Sequence, residues 1–497
     1  MFSKHVLFPF IESVEKFPDR NAFLINEKFY TYQEFAEQIS KIRFALKSFN
    51  ISTINIGLVV NDDIETYASI FAIWLEGLAY VPLHPQQPLE RSLEIISQAK
   101  LCLVMDSSLK TIYSNIPVIE STTLKFEIFN LQPNLISDEA FAYILFTSGS
   151  TGKPKGVQIS RKNVGAFMKS FWETGILIDE NDRCLQCFDL TFDVSVQSYL
   201  VPLTKGACTY TIPHDQIKYS YVYGLLEDHQ LTFGAMAPSM IRYLRPYFEE
   251  IDAPCMRYNI LTAEASPLDL VEEWSKCIPN SEIFDFYGPT EATIYCTYNR
   301  FKRKSANKQL NGMLSIGKAM PYVDTIIIDE NKNILAANEK GELCVSGDQI
   351  TPGYWKNPEK NIESFFEIEI DGTPTCFYKT GDSCYFDNDG DIMLAGRLDY
   401  QVKIQGYRIE LGEIEYHARE FLKRQNAIAI AFANQMGNTE IALFIEGAFT
   451  DDASLIGYLN SKMPFYMIPT KILTEPVFAL NTSGKVDRIL LKHILNK

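Results

Sequence analysis

The apolar run Phe141 to Phe146 passes without a break into Thr147-Ser-Gly-Ser-Thr-Gly-Lys-Pro-Lys-Gly156, and no other stretch of the 497 residues constrains the fold as strongly. The run reads as a buried strand, and open α/β sheets collect ligands just outside the carboxyl ends of such strands. Gly149, Gly152 and Gly156 let the backbone turn tightly, Thr147, Ser148, Ser150 and Thr151 offer hydroxyls, and Lys153 and Lys155 add positive charge. Together they describe a cradle for a phosphate-like anion. It is not the common P-loop, which places four residues between its first glycine and its Gly-Lys pair; two separate Gly149 from Gly152. Pro154 argues against a helix opening directly behind the loop. A solvated Ser/Gly linker is the bland alternative, and it would lack the apolar flank.

The chain is too long for one core, so at least two domains are expected. Asn21 to Tyr30 reads as a hairpin turning near Asn26 and Glu27, and Thr31-Tyr-Gln-Glu34 as a capping box opening a helix with Phe35, Ile39, Ile42 and Leu46 on one face. Strands at Ile56 to Val60, Tyr80 to Pro82 and Leu101 to Met105 then alternate with helices at Ile64 to Glu76 and Leu89 to Ala99. This βαβ rhythm predicts an α/β fold with a doubly wound, mostly parallel sheet. Beyond Asp399 the pattern changes: a hairpin-like stretch turning at Gly406, a helix from about Leu411 to Leu422, strands at Ala427 to Ala433 and Glu440 to Gly447, and a helix near Ala453 to Lys462. The predicted domains are residues 1–398 and a small α+β module, 399–497.

Net charge is −16, and it belongs to the larger part: 35 basic against 51 acidic residues precede Asp399, and 11 against 11 lie from Asp399 onward. Such a balance argues against nucleic acid as a partner. Met1 to Arg20 lacks the apolar core of a signal peptide, and Ile70 to Leu83 is interrupted by Glu76 and too short to span a bilayer, so a cytoplasmic protein is expected. Ten scattered cysteines imply reduced thiols, and Cys184-Leu-Gln-Cys187, with no second ligand pair, reads as core thiols.

Residues 147–156 resemble the phosphate-binding signature of the adenylate-forming superfamily, which includes acyl-CoA synthetases and peptide-synthetase adenylation domains, and further stretches resemble its other motifs in order. Length and wording are most similar to D-alanine–carrier protein ligases and stand-alone amino-acid adenylation domains. The resemblance implies that residues Thr147 to Lys153 hold ATP phosphates. In Phe192-Asp193-Val194-Ser195, read with the preceding Phe188 to Thr191 as one extended segment, it implies that Asp193 pairs with a substrate α-ammonium. In Tyr287-Gly288-Pro289-Thr290-Glu291 it implies that Tyr287 stacks on adenine, Thr290 contacts the α-phosphate and Glu291 holds Mg²⁺, with Asp285 where relatives commonly carry asparagine. Asp382 would accept the ribose hydroxyls, beside Arg397. Phe286, Ile294 and Tyr295 would line the side-chain pocket, with Thr262 where the D-alanine enzymes carry cysteine. Asp399 would be a hinge that makes the C-terminal module mobile, Gly406 would mark the loop for thiol transfer, and Lys485 would be the catalytic lysine.

Ala79 to Pro85, Gly341 to Gly347 and Gly353-Tyr-Trp355 resemble further family motifs and read as structural. The implied reaction joins ATP and a small amino acid such as D-alanine into an aminoacyl-AMP, then passes it to phosphopantetheine on a separate carrier protein, since the chain ends soon after Arg488. Coenzyme A as acceptor, or a non-catalytic nucleotide-binding homologue, are the alternatives.

Overall fold

The structure, a computed structural model, describes residues 1–49, 54–126, 128–149, 152–213, 216–423, 425–480 and 486–495. It contains two compact units. One comprises Met1–Pro85, Ala99–Leu145 and Gly156–Leu398; the other comprises Gln86–Gln98, Phe146–Lys155 and Asp399–Lys497. Two short segments expected with the larger domain therefore group with the C-terminal residues.

Three large sheets form most of the larger unit, beside the two-stranded ribbon Gln309–Leu310 and Met313–Leu314. In the nine-stranded sheet the strands run Lys318–Ala319, Thr297–Arg300, Glu282–Tyr287, Tyr258–Leu261, Phe233–Met236, Arg183–Gln186, Cys208–Thr211, Asn21–Ile25 and Lys28–Thr31. The neighbours from Glu282–Tyr287 across to Asn21–Ile25 pair in parallel, and antiparallel strands close both edges. A six-stranded sheet orders Val118–Glu120, Val104–Asp106, Asn55–Val59, Ala79–Leu83, Phe141–Thr147 and Lys155–Ser160. The third sheet is antiparallel and carries Thr373–Phe386 against Ile392–Arg397.

Local signals explain where these elements begin. Asn26 and Glu27 both adopt positive φ, the requirement of a two-residue hairpin turn. Thr31 accepts the Glu34 N–H while the Glu34 carboxylate accepts that of Thr31, so the helix Tyr32–Ser48 starts on a complete capping box. The expected strand at Leu101 to Met105 is displaced to Val104–Asp106. Side chains such as Trp74, Tyr199 and Tyr295 are fully buried, and each Leu, Ile or Phe taken wholly from water contributes roughly 1.5–3 kcal/mol. Among the described residues no helix is long and apolar enough to cross a membrane, and the cysteines are free thiols.

The smaller unit has its own core, with Ile428, Ile430, Phe432, Phe444 and Leu491. Its hairpin Gln401–Ile404 and Tyr407–Glu410 turns at Gln405 and Gly406, both at positive φ. The hairpin feeds directly into the helix Leu411–Phe421.

Candidate active site

Because the strands of the nine-stranded sheet run parallel, their carboxyl ends line one edge, and residues expected for substrate and nucleotide gather there. Tyr287 ends the strand Glu282–Tyr287, and Thr262 directly follows Tyr258–Leu261. Asp193 comes after Arg183–Gln186, but not on an extended segment. Phe192 is the last extended residue, and Asp193 opens the buried helix Asp193–Leu203, where a carboxylate is favoured by the helix N-terminus.

Asp193 is 6% exposed, and its charge reaches Tyr80, Tyr143 and Tyr295, whose hydroxyls burial already pushes above the usual tyrosine range. Tyr295 donates to Gln197 Oε1 at 3.3 Å and packs its ring 4.9 Å from that of Phe286, which also stacks on Tyr298. Ile294 holds φ at 75°, a left-handed conformation that a β-branched residue adopts only under constraint. Gln197 follows Asp193 by one turn of the same helix, a spacing that carries no signal while the segment reads as extended.

Across the antiparallel register Asp382 lies opposite Arg397, and the two side chains meet at 3.1 Å. The other Asp382 oxygen accepts the Tyr287 hydroxyl at 2.5 Å, so a strand end of one sheet is tied to a strand of another. Burial, and then the Asp382 charge, push that hydroxyl well above its usual range. Asp285 is buried and accepts the Ser266 hydroxyl at 2.9 Å, which offsets part of the cost of burying a carboxylate there. After Gly288 and Pro289, the single turn Thr290–Ala292 carries Glu291 into full burial. Its Oε1 accepts the Tyr354 hydroxyl at 2.6 Å, so the Gly353-Tyr-Trp355 stretch, expected to be structural only, also orients this carboxylate. Similarly His84, from the stretch read as packing, meets Asp189 at 2.8 Å.

Among the described residues no group of three or more His, Cys, Asp or Glu could hold a metal. One buried carboxylate nevertheless fits Mg²⁺, which keeps waters and takes its remaining ligands from substrate phosphates. In the smaller unit, Thr147 ends the strand Phe141–Thr147, and Ser148, Gly149, Gly152 and Lys153 lie beyond it; a Cβ on Gly149 would overlap the Lys153 carbonyl oxygen, so the close approach there needs glycine. The strand Lys155–Ser160 follows, in keeping with Pro154. Asp399 accepts the Gln401 N–H at 3.1 Å. Ser150, Thr151 and Lys485 lie outside the described residues.

A mostly parallel α/β sheet carries a buried aspartate and packed aromatic rings near its strand ends, and Tyr287 there is tied to Asp382 and Arg397 of the third sheet, an arrangement that suits an α/β ligand-binding fold. The chain belongs to the AMP-binding enzyme family, whose profile matches residues 10–355, and with it to the adenylate-forming superfamily. It is 31% identical to tyrocidine synthase 1 of Brevibacillus parabrevis over 98% of its own length, and 30% identical to tyrocidine synthase 2 of the same organism over 96%. It spans only 44% and 13% of those two proteins. Its fold matches the Vibrio cholerae adenylation domain AlmE, solved with glycyl-adenosine-5'-phosphate, with a TM-score of 0.87 over 98% of this chain and 97% of that one at 23% identity. The artificially fused adenylation–PCP di-domain NpsA-ThdA of Klebsiella oxytoca gives 0.84 over 94% and 92%, also at 23% identity.

Proposed function

We propose that the protein activates a small, uncharged amino acid, with D-alanine the leading candidate, as its adenylate and passes it to the phosphopantetheine thiol of a separate carrier protein. The observation that carries this reading is Asp193, a carboxylate 6% exposed whose charge reaches the hydroxyls of Tyr80, Tyr143 and Tyr295. Such a group is costly alone and favourable opposite an ammonium ion, and a fatty acid brings none. The phenyl and phenol rings of Phe286 and Tyr295 narrow the space for the side chain.

In this reading the substrate carboxylate attacks the α-phosphorus of ATP in line, a bond forms from carboxylate oxygen to phosphorus, and pyrophosphate leaves. The protein positions the reactants and offsets spreading negative charge. Asp193 fixes the ammonium end, Tyr287 and Asp285 face adenine, Asp382 accepts the ribose hydroxyls, and residues 147–153 take the phosphates. Glu291 would hold Mg²⁺, which neutralises phosphate charge when bound. Lys485 would bridge the substrate carboxylate and the phosphate. A pivot at Asp399 would then bring the Gly406 hairpin into use for thiol transfer. The family membership supports the adenylate chemistry, the glycyl adenylate in the AlmE structure an amino-acid substrate, and the PCP fused in NpsA-ThdA a carrier partner.

ATP–pyrophosphate exchange with glycine, proline and both enantiomers of the common amino acids tests the proposal. Exchange driven by a small amino acid, and lost in Asp193→Ala while ATP binding persists, is the expected result. Far better exchange with phenylalanine, leucine or a fatty acid would overturn the small-pocket reading.

A further inference from the structure

In the smaller unit, Ser148 and Gly149 of the stretch expected to hold phosphates are bonded by the chain itself. Glu413, at the start of the helix Leu411–Phe421, is fully buried. Its Oε2 accepts the Gly149 N–H at 2.9 Å, and its Oε1 meets Arg91 Nη1 at 2.5 Å. Arg91 is itself 7% exposed. The neighbouring groups are engaged by the same segment. The Ser148 hydroxyl donates to the Arg408 carbonyl and accepts the Glu410 N–H, each at 3.0 Å, and Lys155 pairs with Glu410 at 3.0 Å. Gly152 lies so close to the Tyr416 ring that a Cβ there would overlap it.

We infer that Arg91 and the Gly149 N–H form a two-point anion seat, and that Glu413 is an internal anion which ATP or pyrophosphate must displace. A single N–H cannot give a full hydrogen bond to a carboxylate and a phosphate oxygen at once. Nor can Arg91 stay buried without a counter-anion, because an uncompensated buried charge is strongly unfavourable. Exchange of one anion for the other satisfies both groups. Departure of Glu413 frees the seat for phosphate, and its return competes with pyrophosphate after adenylation, so Glu413 favours product release. Arg91 thereby becomes a phosphate-contacting residue outside the loop motif.

The inference rests on residues 147–153 being the phosphate site, and the test separates the two ideas. Calorimetric titration of inorganic pyrophosphate into the wild-type chain and Glu413→Gln, at fixed ionic strength, should give binding in both and about tenfold tighter binding in the variant, the scale of one charge-assisted hydrogen bond. Equal or weaker binding in a variant that melts like the wild type overturns the internal-anion role. Absence of pyrophosphate binding in both proteins overturns the phosphate site as well. Should Glu413→Gln fail to fold, hydrogen–deuterium exchange on the wild type decides. Pyrophosphate should speed exchange in 408–416 while 147–149 stays protected, and joint protection of both segments would overturn the displacement.

Discussion

Replacing Asp382 by asparagine isolates the network that joins Tyr287 to Arg397. Its carboxylate accepts the Tyr287 hydroxyl at 2.5 Å and faces Arg397 at 3.1 Å, with the side chain 9% exposed. Asparagine keeps the volume but turns one acceptor oxygen into a donor, directed at a guanidinium or at a ribose hydroxyl. A hydrogen bond to a charged group contributes about 1.5–3 kcal/mol, which at about 1.4 kcal/mol per decade raises the Kd for ATP by roughly 10- to 150-fold. Arg397 is a quarter exposed, so water screens its pair with Asp382 and the loss of fold stability should be smaller. The assay is calorimetric titration of ATP and 2'-deoxy-ATP into both proteins. If Asp382 accepts the ribose hydroxyl, wild type should lose affinity for the deoxynucleotide while the variant loses little more. An unchanged Kd for ATP in a well-folded variant, or fully additive losses, would refute the ribose assignment.

Burial pushes Asp62 up to about 7, although the Tyr67 hydroxyl that it accepts acts the other way. The folded state then binds a proton that the unfolded state has released, so stability falls as pH rises toward 7, by about 2–3 kcal/mol between pH 5 and 8. Asp62→Asn, which tolerates the positive φ at this position, should flatten the thermal-melting profile over that range. Gly149→Ala should abolish pyrophosphate binding measured by calorimetry while leaving the melting of the larger unit unchanged, because its Cβ would meet the Lys153 carbonyl. Lys485→Ala should slow amino-acid-dependent exchange by roughly 10²–10³-fold, the scale of one charge-stabilising group. Near-normal exchange would remove that lysine from the proposed mechanism.

What the sequence revealed was mostly local. Thr31 and Glu34 signal their helix because the capping box is closed within four residues, and Asn26-Glu27 marks a turn because φ there is fixed by two residues alone. Leu89–Ala99 begins and ends where its periodic face predicts. The extended reading of Phe188 to Ser195 fails at Asp193 because Asp193–Leu203 is buried on every side, so it shows no amphipathic stripe and its aromatic flank reads as alternation. Long-range partners left no trace at all. Glu413 lies 322 residues from Arg91 and 264 from Gly149, and only the folded chain brings their charges and donors together. The same holds for Tyr354 on Glu291, two residues that each looked complete within their own motif.

The central claim is that a substrate carboxylate attacks the α-phosphorus of ATP. The most direct measurement supplies the activated amino acid with oxygen-18 in its carboxylate, traps the product with hydroxylamine, and weighs the released AMP. Attack at the α-phosphorus leaves one labelled oxygen in AMP and none in pyrophosphate. Unlabelled AMP, or label in inorganic phosphate, would contradict the account.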